Sequence, residues 1–427
     1  MEMRIPLLKR CALFLLFLLI AQFSASAFGQ SYQSFLSTLE QVSKLRKFKF
    51  GPFWIFPTFN LKDIGYDDNV YYQREGDEQA SDFTGTLSPG VSIYFIFRNR
   101  LLLSLRENPE YVFYFEQKRE RRLNNTLSPE FKYLFLNRFV ISGGYLDSNR
   151  RRRATSEFDV RANERMKSYT GRFFYETARQ TSFGLSGAIR KISYEDITLP
   201  GEEIYLARAL NRREKSGYFE FYYKVFSESF FFIKAGYTEY EFEHAQSSWR
   251  DSFSYQVYTG MRFPLLGRVR GTLSLGYKRL FPKTGGRTGF SGLVGNSGLD
   301  FRFWRLAVRL NYDRDCHFSY WTNNIFFNED RYGAGISLYV MRFIRVDYSL
   351  TYGEAHYPEP MSVRMPDGSY EEITREDIYR VHSTGLVFRI IKDIGLGMAV
   401  SFWERDSNYF WENRKRMFIG GYVTYEF

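Results

Sequence analysis

From Phe53 to the end of the chain, apolar and polar residues alternate at period two, in segment after segment of about ten to fifteen residues. In "KSGYFEFYYKVF" (215–226), Phe219, Phe221, Tyr223 and Val225 share one face, with Glu220 and Lys224 on the other. In "GRVRGTLSLGYKR" (267–279), Val269, Leu273, Leu275 and Tyr277 oppose Arg270, Thr272, Ser274 and Lys278. "WRLAVRLNYD" (304–313) and "FIRVDYSLTY" (343–352) repeat the pattern. The last ten residues, "FIGGYVTYEF", place Ile419, Val423, Tyr425 and Phe427 on one parity, so an apolar face runs to the last residue. Strands with one greasy side must cover that side with protein or with hydrocarbon.

The connections alternate too. Tight turns such as "RNR" (98–100), "LNR" (136–138), "RQT" (179–181), "SES" (227–229), "LLG" (265–267) and "KDI" (392–394) are separated by long polar stretches near 63–80, 117–125, 148–165, 194–214, 244–251, 282–288, 321–324, 355–377 and 405–414. Short turns at one rim and long loops at the other are the asymmetry of an outer-membrane barrel. Segment counting predicts an all-β transmembrane antiparallel β-barrel of about eighteen strands, with sixteen as the alternative. A bulge is expected at "ENPEYVF", around Pro109. A soluble β-solenoid or sandwich is the competing fold, but it has no need of a lipid-length apolar band.

Composition agrees with hydrocarbon as the solvent of that band. Phe and Tyr number 44 and 33, and aromatic residues make up 19% of the chain. Mean hydropathy is nevertheless −0.38, the average of lipid-facing and lumen-facing residues. At the N-terminus Arg4, Lys9 and Arg10 precede "CALFLLFLLIAQF" and the small-residue site Ala25-Ser26-Ala27, the pattern of a secretory signal peptide over 1–27. An uncleaved anchor is the alternative reading. Cleavage would leave Cys316 as the one cysteine and exclude an intramolecular disulfide. Residues 28–50 do not alternate. Phe35, Leu36, Leu39, Val42 and Leu45 fall at helical spacing, which predicts a short amphipathic helix able to plug the lumen, rest on the periplasmic rim or meet a partner, with a loosely held periplasmic arm as the alternative. The barrel is expected over 51–427.

"IGYDDNVYYQREGDEQASDFTGTLSPGVSIYF" (64–95) resembles the β-barrel porin-2 family, through Gly65-Tyr66-Asp67-Asp68-Asn69-Val70, Asp82-Phe83 and Leu87-Ser88-Pro89-Gly90. The resemblance implies an outer-membrane barrel associated with exopolysaccharide export, with an acidic polysaccharide and its export apparatus as partners. Tyr425 and Phe427 are similar to the terminal signal of outer-membrane barrels that is read by the barrel-assembly machinery. Outer-membrane lipid and lipopolysaccharide are the other expected partners. Nucleic acid is not, despite a formal charge of +11.

The inward parity carries a basic ladder: Lys132, Arg172, Arg190, Lys224, Lys234, Arg268, Arg270, Lys278, Arg305, Arg309 and Arg345, opposed mainly by Glu176, Glu220, Asp313 and Asp347. Cation rings in a low-dielectric tunnel concentrate anions, so passive passage of anionic solutes or acidic polysaccharide is expected, without a cofactor. A salt-bridged interior that conducts little, as in a structural or adhesin barrel, is the alternative. External arginines at 118–122, 150–153 and 212–213 could meet lipid phosphates or simply form a solvated face. Asp67-Asp68-Asn69 suits a turn better than a calcium site. In "CHFSYWTNN", His317 and Ser319 are similar to the His-x-Ser pair of outer-membrane phospholipase A, but the register turns them inward. No metal, phosphate-cradle or nucleotide motif is present, so an enzyme is not expected. A TonB-dependent receptor is disfavoured, since no plug domain precedes the strands.

Overall fold

The computed structural model describes residues 35–426, apart from 37, 41, 43–47 and short stretches at 158–159, 179–180, 200–201, 227–228, 267, 365–368, 392–393 and 410–411. The signal-peptide boundary and Phe427 lie outside the described residues. Eighteen antiparallel strands close into one barrel. They are β1 (Phe53–Asp67), β2 (Asp82–Phe97), β3 (Leu101–Glu107, resuming at Glu110–Tyr114), β4 (Arg122–Phe135), β5 (Phe139–Arg153), β6 (Arg161–Glu176), β7 (Ser182–Tyr194), β8 (Arg212–Phe226) and β9 (Ser229–Phe242). The second half comprises β10 (Ser252–Leu266), β11 (Val269–Pro282), β12 (Ser291–Phe303), β13 (Leu306–Phe318), β14 (Phe326–Tyr339), β15 (Ile344–His356), β16 (Glu376–Ile391), β17 (Ile394–Ser407) and β18 (Arg414–Glu426). Each pairs with its neighbours in sequence, and β18 closes the ring on β1 from Thr58↔Glu426 to Asp67↔Phe418. Closure therefore falls beyond Phe53. The start of β1 instead pairs with the short strand Phe48–Phe50.

The parity read from sequence is the parity of the wall. Phe219, Tyr223, Leu275, Tyr277, Met398, Val400 and Ile419 are exposed on the outside, while Glu220, Tyr222, Lys278 and Trp403 are buried inside. A belt this apolar cannot face water around a whole monomer. Hydrocarbon is its solvent, and a closed barrel is the strand architecture that leaves no unpaired edge there. All nine long stretches expected as loops do connect strands at one rim.

Two local expectations change. Asn108-Pro109 interrupts β3 without a bulge, because Val91↔Glu107 before it and Leu87↔Tyr111 after it keep the same offset. Proline removes a ladder donor but inserts no extra residue. The bulge lies in β1 instead, between Lys62 and Gly65, where Asp63 has φ +54°. That extra residue turns Ile64 and Tyr66 outward and leaves Asp67 buried within. At the periplasmic rim, Arg98-Asn99 and Leu136-Asn137 all have positive φ, the paired left-handed geometry of type I′ hairpins.

Aromatic rings lie over glycines of adjacent strands. Phe174 covers Gly184, and a Cβ added at Gly184 would collide with that ring. Phe174 is itself 1% exposed and has nowhere to go. Gly184→Ala is therefore expected to cost about 1–3 kcal/mol by overpacking, read as a lowered urea midpoint in detergent. Gly171→Ala, where a Cβ meets nothing within 4 Å, should leave the midpoint in place.

Candidate functional site: a barrel interior closed at both ends

The periplasmic end of the lumen is filled. Phe35, Leu36, Thr38, Leu39, Glu40 and Val42 are helical. Phe35, Leu39 and Val42 are buried against Tyr94, Leu102, Leu134, Val140, Phe174, Tyr222 and Phe232, all inward residues near the short turns. The described residues of the N-terminal segment thus pack against the inner wall at this end. Leu36, off the buried stripe, stays exposed.

The extracellular end is capped by the loops. Ile197–Leu199 and Glu202–Ile204 form a hairpin, followed by a short helix, Leu206–Leu210. Ile197, Ile204, Leu206, Ala209 and Leu210 pack with Ile192, Tyr240, Phe242, Leu280, Phe290, Val294 and Phe318 into one core. The hairpin of β5 and β6 bends across the mouth. Its Arg153 lies 5.1 Å over the ring of Trp403 on β17, beyond the β1–β18 seam. Arg161 reaches Asp67 at 3.4 Å, and Arg416 binds the same carboxylate through two hydrogen bonds of 2.7 and 2.6 Å. Asp67 is wholly buried. Thus arginines expected to form a solvated face, or to meet lipid phosphates, instead staple the cap: Arg151 forks onto Glu120 at 2.8 and 2.6 Å, and Arg152 meets Glu164 at 2.6 Å.

A second ionic knot closes the cap. Arg375 and Asp377 are fully buried, joined by contacts of 2.8–3.1 Å. Glu157, also buried, accepts hydrogen bonds from the Ser319 hydroxyl at 2.6 Å and the Tyr320 N–H at 2.9 Å. Burial pushes the Glu157 carboxyl above its ordinary range, more than these two donors lower it. A carboxyl raised in the folded state binds protons more tightly there than when unfolded. Its contribution is therefore largest below the ordinary carboxylate range and is lost as pH rises through the raised value. Melting profiles across pH should show this slope, and Glu157→Gln should flatten it.

Ser319 is engaged by Glu157, whereas His317 Nε2 faces Glu329 at 3.2 Å, so the two do not form a nucleophile–base pair. Asp67, Asp68 and Asn69 form a turn, with the Asp68 carboxylate accepting from the Met417 N–H at 2.7 Å. Among the described residues no group of three His, Cys, Asp or Glu is placed to hold a metal.

Between plug and cap runs the ladder. Lys132, Arg172 and Lys278 lie on one register row around the wall, Lys132↔Ser142↔Arg172↔Ser186↔Tyr218↔Gly236↔Gln256↔Lys278. Lys234 lies 4.0 Å over the Tyr218 ring. Arg270 and Arg309 converge on Asp300 at 3.3 and 2.9 Å. Arg190 meets Glu214 at 3.1 Å, Lys278 meets Asp315 at 2.7 Å and Arg345 meets Asp347 at 2.9 Å. Lys132 lies 3.4 Å from Glu130 and Lys234 lies 3.9 Å from Glu220. Lys224 shares the inward parity of Glu220 and Tyr222 on β8. Two residues expected in the ladder belong to the rim: Arg268 and Arg305 are turn residues, and Arg305 stacks on Trp304 at 4.5 Å. The inward Arg106, which donates to the Tyr94 hydroxyl at 3.1 Å, and Arg416 escaped the sequence reading, although their strand parity was available.

A concavity of about 1000 Å³ on the outer wall, where Gly143, Gly171, Gly187 and Gly217 are successive register partners, faces hydrocarbon rather than the lumen.

No family model matches the chain, and no curated protein does. Several solved structures are similar to this chain at low identity. The siderophore receptor PirA from Acinetobacter baumannii shares 6% identity at TM-score 0.42, over 87% of this chain and 80% of that one. OccK3 (OpdO) of Pseudomonas aeruginosa shares 11% at TM-score 0.45, over 87% and 95%. The FrpB iron transporter of Neisseria meningitidis shares 11% at TM-score 0.46, over 88% of this chain and 63% of its own length. The strand pairing and the apolar outer belt carry the conclusion themselves: the chain is an 18-stranded antiparallel β-barrel of the outer-membrane type.

Proposed function

We propose that this barrel is a non-catalytic outer-membrane passage for anionic solutes, closed at rest by the N-terminal plug and the extracellular cap. The supporting observation is the Lys132–Arg172–Lys278 row, which sets three cations along one path on the inner wall. Cations fixed in a low-dielectric lumen lower the barrier for anions and raise it for cations. An acidic polysaccharide, suggested by the porin-2 resemblance, is the polymeric case and requires both ends to open. The proposal includes a cleaved leader over 1–27 and an assembly signal at Tyr425 and Phe427, in a membrane containing lipopolysaccharide.

A second reading, a non-conducting structural barrel, draws on the pairing of the ladder. Among the described residues, at least seven of its eleven members meet carboxylates. Solute flux into liposomes separates the two readings. With the plug segment and the cap residues 196–210 both deleted, a small organic anion should enter faster than a neutral or cationic molecule of equal size. Arg172→Glu should narrow or reverse that order. Equal exclusion of all three solutes by a folded barrel contradicts the passage.

A further inference from the structure

On the outer wall of β5–β8, the glycine row Gly143, Gly171, Gly187 and Gly217 floors the concavity of about 1000 Å³. The register row on its periplasmic side is Ile141, Phe173, Leu185 and Phe219, and on its extracellular side Tyr145, Tyr169 and Ile189. Gly143 is covered by the ring of Phe131, but the other three are bare for no reason of packing. A Cβ added at Gly171 or Gly217 meets nothing within 4 Å, and one at Gly187 meets only a backbone oxygen at 3.6 Å, an ordinary contact. Glycine weakens a strand interior, and it often marks a place where a ligand approaches the backbone closely. Among the described residues no side chain takes that place over these three.

Directly above the tyrosines, on the same outward parity, β6, β7 and β8 present Lys167, Lys191 and Arg213 as successive register partners. Their backbones lie about 5 Å apart from strand to strand, and like charges directly opposite one another are destabilising. The neighbouring carboxylates do not neutralise all three. Arg165 forks Asp147 at 3.1 and 2.8 Å, Lys215 meets Glu241 at 2.9 Å, and Lys191 meets Glu243 at 2.7 Å. Lys167 therefore receives only a longer-range attraction from Asp147. Arg213, exposed on the same row, has no ion pair among the described residues.

We propose that this face is a binding site for one phosphorylated acyl lipid of the outer leaflet, with an acyl chain along the glycine row and a phosphate on Lys167, Lys191 and Arg213. Groove, tyrosine row and cations follow one another in the order of hydrocarbon, interface and headgroup. A phosphate relieves the crowding of like charges and accepts two hydrogen bonds from the Arg213 fork. A second copy of the chain suits the face less well. Two barrels related by an axis along the membrane normal would set the cation row against itself at equal height. The site faces lipid, so it stands apart from what passes through the lumen.

Native mass spectrometry of the full chain, folded in detergent, tests the site with diphosphorylated lipid A, the same lipid stripped of its phosphates, and inorganic phosphate. One lipid A should be retained per barrel, on the order of ten-fold more tightly than the dephosphorylated lipid, and inorganic phosphate should not be retained. Lys167→Gln with Arg213→Gln leaves the Lys191–Glu243 pair in place and should erase that preference. Gly171→Leu with Gly217→Leu fills the groove where a side chain has room. It should weaken lipid A about three-fold, the scale of packing contacts within a bilayer, with the far-ultraviolet strand signal intact. Equal retention with and without the phosphates, or unchanged retention in either double variant, overturns the site. Inorganic phosphate held as tightly as lipid A overturns the acyl groove. A barrel dimer that forms in place of the lipid adduct, and is lost in the leucine variant, overturns lipid as the occupant.

Discussion

Asp377→Ala is expected to destabilise the folded barrel by about 3–5 kcal/mol, because it strands a buried guanidinium. Arg375 has no exposed surface, and both its Nε and Nη2 are committed to Asp377. Three rings, of Trp321, Tyr357 and Tyr409, surround it at 5.1–6.0 Å and exclude water from taking the lost place. Asp377 also accepts from the Ser407 hydroxyl at 2.6 Å, so the substitution also removes a side-chain link between β16 and β17 above the membrane. Removing both charges should be far milder, since a buried pair costs nearly as much to desolvate as it returns. The double variant Arg375→Met, Asp377→Leu should therefore melt above Asp377→Ala. Urea titration in detergent, following the strand signal, orders the three proteins. Equal midpoints for the single variant and the native chain would remove the knot from the account.

Deletion of residues 31–45 is expected to raise conductance on the order of ten-fold, by clearing a side-chain constriction of the kind that gates pores. Phe35, Leu39 and Val42 are buried in the periplasmic mouth, and each contributes roughly 1.5–3 kcal/mol of apolar burial to the docked state. The plug's described residues are thus firmly seated, yet they are helical and belong to no barrel strand. Its loss should leave the eighteen-stranded ladder intact. The cap remains in that variant, so current should rise further when residues 196–210, the loop hairpin and its helix, are removed as well. Single-channel recordings of the two deletions, with folding checked by strand signal, read the order directly.

Much of this architecture is legible in the sequence for a simple reason. Hydrocarbon demands an apolar residue at every second position, so strand count, parity and the alternation of short and long connections follow from a local pattern. Met417, Ile419, Val423 and Tyr425 reveal the outward face of β18, and Arg416 and Phe418 are thereby inward. What covers the ends of the lumen is not local. Helical spacing exposes the apolar stripe of Phe35, Leu39 and Val42, but nothing in it says that Tyr94 and Phe232 will receive it. The arginines at 150–153 read as a solvated loop because a local pattern does not show their partners, with Trp403 far along the chain from Arg153. The β1 bulge is hidden similarly: Asp63 shows no proline or glycine, and only pairing with β2 and β18 forces the extra residue there.

The central claim is that a basic inner wall lies behind two removable closures. Reversal potentials across a tenfold chloride gradient, recorded for the native chain and for the chain lacking 31–45 and 196–210, test it most directly. A nearly silent native barrel and an anion-selective deletion variant are the predicted pair. A folded deletion variant that stays silent, or that prefers potassium over chloride, would contradict it.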